Sequence, residues 1–210
     1  MAKKDKSFLR PKARSYMQRR VDELPIRQRF LIVCEGGKTE PNYFKRFRVP
    51  QLVVQVEGLG MNTVSLVQRA LELREEDDYD QVWCVFDKDD FPDKNFNAAI
   101  ALAKRNRIYV AYSNQSFELW YVLHFYYLDN ALPRSDYMKM LSKELKHEYE
   151  KNSTIIYDEL QQYQGTAIRN ADRLLRQYQP VMPCRDNPST TVHKLVQQLL
   201  EHSKPFRARK

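Results

Sequence analysis

Four short apolar runs, set apart by stretches whose apolar residues recur at helical spacing, leave this chain few folds to choose from. RFLIVCEG, QLVVQVEG, DQVWCVFD and IYVAYSN, between about residues 28 and 114, are nearly continuous in hydrophobicity rather than alternating. Strands of that kind are covered on both faces, as in parallel sheets joined by crossover helices. The intervening stretches fit such helices. EPNYFKRF can start at Thr39 as N-cap, with Pro41 in its first turn, where a missing N–H is harmless. A second helix, capped by Asn62, carries Val64, Val67 and Leu71 on one spacing and Leu66, Ala70 and Leu73 on another. NFNAAIALAKRN supplies the third, and a helix through SFELWYVLHFYY follows the fourth strand. The expected fold class is therefore α/β, with the parallel sheet inside residues 27–130. After Pro133 the pattern turns all helical, through SDYMKMLSKELKHEYEK, IIYDELQQY, GTAIRNADRLLRQY and STTVHKLVQQLLEH. Residues 131–210 are expected to form a helical region packed on the sheet.

Several function classes drop out at this point. The longest apolar stretch, LWYVLHFYYL from Leu119 to Leu128, is too short to cross a bilayer and holds His124 in its middle. No apolar segment follows the basic N-terminus in the manner of a signal peptide, so a cytoplasmic protein with no membrane partner is expected. Cys34, Cys84 and Cys184 form neither a disulfide framework nor a C-x-x-C zinc pattern, and Cys34 and Cys84 read as buried thiols within strands. His193 and His202 stand nine apart with no acid or cysteine at ligand spacing, so they read as packing or surface.

The net charge of +8 is unevenly distributed. Residues 1–29 hold ten Lys and Arg against three acids, a balance of +7, and KPFRARK at the end adds +4, which leaves the body at −3. A basic arm over residues 1–26 on a mildly acidic body suits a polyanion such as nucleic acid, because each neutralised phosphate releases counterions. A solubilising tail would look the same from charge alone.

Acids nevertheless gather where strands end. Glu35 closes the first strand before Gly36 and Gly37, a turn able to take unusual backbone angles. VWCVFDKDDFPD closes the third with Asp87, Lys88, Asp89 and Asp90. Ligands of parallel α/β sheets bind outside the carboxyl ends of the strands, where strand order reverses. In a 2-1-3-4 order strands one and three are neighbours, so Glu35 and Asp87 meet at one edge. Two carboxylates about 4 Å apart repel by a few kcal/mol at an effective dielectric near 20, so the cluster calls for a proton or a hard cation, Mg²⁺ or Mn²⁺. The D-x-D spacing sends the short carboxylates of Asp87 and Asp89 to one side and Lys88 elsewhere. Asp90 and Asp93 read more simply as turn and helix-cap residues.

Taken in order, LIVCEGGKTEPNYF, VWCVFDKDDF and SNQSFELWYVLHF resemble the RloB family of bacterial proteins, and NPSTTVHKLVQQL resembles that family's C-terminal stretch. The resemblance covers about residues 29–202. It implies a role in abortive infection beside an ATPase partner of the RloA type. The E-G followed by D-x-D is also the arrangement of Toprim domains in topoisomerases, primases and nucleases of the OLD (overcoming lysogenization defect) type. Carried over, Glu35 corresponds to the Toprim glutamate, a metal ligand or acid/base, and Asp87 and Asp89 to the D-x-D metal pair. Glu40 corresponds to the second glutamate of OLD-type nucleases, and Ser116-x-Glu118 to their S-x-E pair. Two departures stand out. Asp90 and Phe91 occupy the place of the glycine that often follows D-x-D, and no lysine sits plainly as the late catalytic one, for which Lys194 is the candidate. Glu40 and Glu118 also lie in first helical turns, where an acid gains about 0.3–1 kcal/mol from the helix dipole without any ligand role.

The leading expectation is a Mg²⁺-dependent Toprim-type nuclease in phage defence. Glu35, Asp87 and Asp89 are its catalytic set, Glu40 and Glu118 its further metal ligands, and Arg14, Arg19, Arg20, Lys38 and Lys88 its nucleic-acid contacts. A non-catalytic Toprim-like module with a structural ion site, binding nucleic acid or a partner, is the alternative. Phosphoryl or nucleotidyl transfer would use the same geometry.

Overall fold

In a computed structural model of the chain, the residues described are 28–49, 52–60, 63–89 and 92–202. The basic arm with Arg14, Arg19 and Arg20, the Asn62 cap, Asp90, Phe91 and the basic C-terminal tail lie outside them.

The apolar runs form β1 (Gln28–Cys34), β2 (Leu52–Gly58), β3 (Gln81–Asp87) and β4 (Tyr109–Asn114). They pair in parallel in the order β2-β1-β3-β4, as the 2-1-3-4 reading requires. Between them stand α1 (Thr39–Phe44), α2 (Thr63–Glu76) and α3 (Asp93–Arg105). Side chains alternate across the sheet and build two apolar layers. Leu31, Val33, Val82, Cys84, Phe86 and Tyr112 pack on Leu66, Val67 and Ala70 of α2 and Phe96 and Ala99 of α3. Phe30, Ile32, Cys34, Trp83, Val85 and Ala111 face the other way, onto α1 and the C-terminal helices. Those helices are α4 (Glu118–Val122), α5 (Arg134–Leu145), α6 (Ile156–Leu160) continued by a 3₁₀ turn, α7 (Gln164–Arg176) and α8 (Val192–Glu201). They share one continuous apolar cluster with the sheet, with Leu119, Trp120, Leu160, Leu174 and Leu195 wholly buried. Cys34 and Cys84 are buried free thiols, as read from their strands.

Three expected elements came out shorter, each for a local reason. The helix read through residue 151 stops at Leu145, because Lys146 takes a left-handed conformation (φ 61°). The chain then folds back so that the Tyr149 amide donates to Ser142 Oγ at 2.9 Å and its ring enters the core. STTVHKLVQQLLEH opens as a strand, β5 (Ser189–Thr190), which adds antiparallel to β4. There the Tyr112 amide donates to Thr191 Oγ1 at 3.0 Å, and hydroxyls engaged in this way delay the helix to Val192. The helix after β4 is α-helical only over Glu118–Val122.

Candidate metal centre

In this strand order α1 leaves β1 toward β2 on one face of the sheet, whereas α2 and α3 lie on the other. The chain therefore reverses direction between the carboxyl ends of β1 and β3, the position where such sheets bind ligands. The Glu35 amide donates to Val85 O at 2.9 Å, which extends the β1–β3 ladder by one residue and fixes the glutamate at the sheet edge. Its carboxylate accepts from Thr63 Oγ1 at 3.2 Å through Oε1 and from the Asp87 amide at 3.2 Å through Oε2. The two strand-end acids are thus adjacent. Asp87 Oδ2 accepts from the Phe117 amide at 3.0 Å, and its Oδ1 is shut off from solvent with no hydrogen-bond partner.

The glycines act through space rather than backbone angle. Among the described residues the positive-φ glycine is Gly60, so the expectation of unusual angles at Gly36 and Gly37 does not hold. At Gly36 a Cβ would stand 2.0 Å from Glu40 Oε2, so only glycine leaves room for that carboxylate to fold over the turn. At Gly58 a Cβ would meet Pro41 Cγ at 2.6 Å and Gly36 O at 2.8 Å, so the end of β2 must also be bare for α1 to dock. Gly36→Ala is accordingly expected to keep the fold, because the conflict is with the far end of a flexible side chain, and to displace Glu40. A calorimetric Mn²⁺ titration beside a thermal melt checks this: Mn²⁺ affinity should fall with the metal-free melting temperature unchanged, and undiminished affinity would remove Glu40 from the site.

Glu40 and Glu118 are 5% and 4% exposed, far below what unpaired carboxylates tolerate in a protein interior. Burial, helped by the charges of Glu118 and Glu35, pushes the Glu40 carboxyl up to about 7. Burial and then Asp89 push Glu35 up to about 7, against the pull of the Asp87 amide and the Thr63 hydroxyl. Asp87 is raised well above the usual range by burial and by Glu40, Glu118 and Asp89. Five acids therefore share one electrostatic neighbourhood.

Asp89 is differently engaged. It stands at φ 44° and pairs through Oδ1 with Arg134 Nη2 of α5 at 2.5 Å. Among the described residues no three His, Cys, Asp or Glu side chains stand as they are in an arrangement that would hold a metal ion. The donors suit a hard divalent cation in charge and type, and Asp87 Oδ1 is a buried oxygen in want of one.

The remaining residues singled out from sequence fall in different places. Ser116 Oγ is buried beside Glu118 in sequence and has no partner. Lys38 is exposed at the start of α1. Lys88 is buried, 8% exposed, with Nζ 3.0 Å from Asp93 Oδ1, so the expected cap residue Asp93 serves instead as its counter-ion, and Pro92 holds the N-cap position of α3. Lys194 lines a cavity with Ile100, Val110, Tyr112, Leu175 and Thr191, and none of the five acids lines it.

Thr63, Tyr149, Lys151 and Arg134 escaped the sequence reading. Tyr149 donates to Glu118 Oε1 at 3.4 Å, and Lys151 Nζ stands 3.9 Å from the same oxygen. The strap carrying them is tied to α1, with Thr39 Oγ1 donating to Lys151 O at 2.7 Å and Asn42 Nδ2 to Asn152 O at 3.0 Å. Thr39, expected as an N-cap, makes this tie and no cap bond. No spacing in the chain announces contacts between residues more than a hundred positions apart.

The acids give metal-free protein a definite pH dependence. Between 4.5 and about 7 the folded chain holds protons on Glu35 and Glu40 that the unfolded chain has released, so stability falls as pH rises through that window. Buried His124 and His193, pushed down to about 4, act oppositely between about 4 and 6.5 and offset the acids there. Above 6.5 the acids prevail, joined in sign by His147, which Glu159 raises. The melting temperature without metal should drop from pH 6.5 to 8, and Glu35→Gln should flatten the curve; a drop of equal size in that variant would remove Glu35 as its source.

A parallel sheet in this order, with acids at its switch point, defines a Rossmann-like α/β protein with a candidate cation site. The chain belongs to the RloB-like protein family, whose model matches residues 30–199. No curated protein and no solved structure gives a significant match to the chain. Among the described residues no helix is long and apolar enough to cross a membrane.

Proposed function

We propose that this chain is a Mg²⁺- or Mn²⁺-dependent nuclease of the Toprim type, hydrolysing phosphodiester bonds of DNA or RNA in phage defence, with an ATPase partner of the RloA type. The observation that carries the reading is the buried, unpartnered Asp87 Oδ1 beside Glu35, at a sheet edge where Glu40, Glu118 and Asp89 also raise the Asp87 carboxyl. Repelling acids that serve only the fold are costly to keep. Glu35, Asp87 and Asp89 would hold the ion, with Glu40 and Glu118 as further ligands. When bound, such an ion lowers the pKa of a water and stabilises charge on the phosphate. The chain supplies the remaining parts. Thr63 and the Asp87 amide fix both oxygens of Glu35 at the sheet edge, so its carboxylate is oriented before any ion arrives. Lys151 beside Glu118 offers a positive charge where the sequence had suggested Lys194. Lys38, and Arg14, Arg19 and Arg20 of the arm, would hold the strand.

The test is incubation of purified protein with single-stranded DNA, duplex DNA and tRNA, with and without the ATPase, in Mg²⁺, Mn²⁺ or EDTA. Cleavage confined to the metal-containing reactions is expected. The want of a ready three-acid arrangement favours one other reading, a binding module with a structural ion. Under that reading the ion raises the melting temperature and no substrate is cut under any condition.

A further inference from the structure

Arg134 belongs to two features at once. It pairs with Asp89, and it lines an open cleft of about 510 Å³ with Gln115, Leu132, Pro133, Ser135 and Asn187. The Arg134 and Asp89 side chains are each 32% exposed, while Nη2, the nitrogen that meets Asp89, is closed off from solvent, so an anion in the cleft approaches the guanidinium through its other atoms. Asp89 is held at φ 44°, a left-handed region seldom taken by residues with a side chain, and its amide donates to Gln115 O at 3.3 Å. The acid, its counter-ion and the cleft wall are thus linked through this ion pair and this backbone hydrogen bond. The cleft has the size of a small-ligand pocket, and its wall combines two amides, Gln115 and Asn187, with apolar Leu132 and Pro133.

We propose that this cleft is a nucleotide subsite and that Arg134 is a substrate-sensing latch on Asp89. This rests on the metal-nuclease reading. A phosphodiester oxygen entering the cleft takes over the guanidinium, whose planar fork matches phosphate at least as well as carboxylate. Asp89, released, turns to Asp87 and completes the cation site. An unpaired base would offer its Watson–Crick edge to the Gln115 and Asn187 amides in addition, so the substrate class is single-stranded or locally opened nucleic acid. Metal and substrate binding are then reciprocally coupled.

Calorimetric Mn²⁺ titration of the full chain tests this, alone and with a cleavage-resistant phosphorothioate hexanucleotide, single-stranded or as a duplex. Wild type should bind Mn²⁺ at least ~5-fold more tightly with the single strand, and the duplex should have little effect. Arg134→Gln should bind Mn²⁺ tightly without the oligonucleotide and respond no further to it. Ser135→Trp, which fills the cleft from an exposed position, should bind Mn²⁺ as wild type does and lose the response. Unchanged Mn²⁺ affinity in Arg134→Gln, in a wild type whose binding Asp87→Asn abolishes, would overturn the latch alone. Equal effects of duplex and single strand would overturn the subsite assignment. Absence of Mn²⁺ binding in wild type, or binding that survives Asp87→Asn, would overturn the metal reading and the latch with it. If Arg134→Gln does not fold, Arg134→Lys, which keeps the charge and loses the fork, should show a partial form of the same change.

Discussion

Asp87→Asn is expected to lower cleavage at least ~100-fold while making the metal-free protein more stable. The two effects have one origin. Asp87 is enclosed, raised by burial and by Glu40, Glu118 and Asp89, and its Oδ1 has no partner. Asparagine keeps the shape and can still accept from the Phe117 amide, but it carries no charge for its neighbours to repel and is a poor ligand for a hard cation. The stability gain should be on the order of 1 kcal/mol, roughly 2–4 °C for a chain of this size. In Mg²⁺ the order should shrink or reverse, because only wild type gains from the ion by mass action. Glu35→Gln should behave alike. Activity is read by cleavage and stability by melts with and without Mg²⁺. Full activity in both variants would end the assignment of chemistry to these residues, and destabilisation of metal-free Asp87→Asn would mean that the carboxylate serves the fold.

Leu174→Ala in α7 carries the largest expected effect on stability, about 2–5 kcal/mol. Leu174 is wholly buried in the cluster that also contains Phe30, Ile32 and Val85 of the sheet. That cluster is continuous across both regions, so sheet and C-terminal helices should still melt in one transition, at a lower temperature. Calorimetry together with fluorescence of Trp83 in β3 and Trp120 in α4 follows both parts. Two separated transitions would show that the helical region is an independent unit.

What could be read from the sequence follows the range of the forces involved. The sheet was legible because its strands are short, apolar and bounded by turns, whereas its 2-1-3-4 order is an expectation of the Toprim- or Rossmann-like class, under which Glu35 and Asp87 meet at one edge. Where tertiary contacts override local pattern, the reading stopped. Lys146 ends α5 although the helical pattern runs on, because Tyr149 gains burial by turning back. Ser189 and Thr190 join β4 although they precede a strong helix, because their backbone and the Thr190 hydroxyl complete its edge. The acids of the site lie next to strand ends and announce themselves. The groups that orient them come from far along the chain. Thr63 reaches Glu35 from α2, Tyr149 and Lys151 reach Glu118 from a strap, and Arg134 reaches Asp89 from α5. Lys88 shows the converse, since its place in D-x-D suggested a phosphate contact and the fold buries it against Asp93.

The central claim is that Glu35 and Asp87 hold a divalent cation at the β1–β3 switch point, and anomalous diffraction from crystals of the full chain grown with Mn²⁺ addresses it most directly. The account predicts an anomalous peak about 2.1 Å from a carboxylate oxygen of each residue, with Asp87 Oδ1 among the ligands. No peak at that edge, or a peak whose ligands exclude both Glu35 and Asp87, would contradict it.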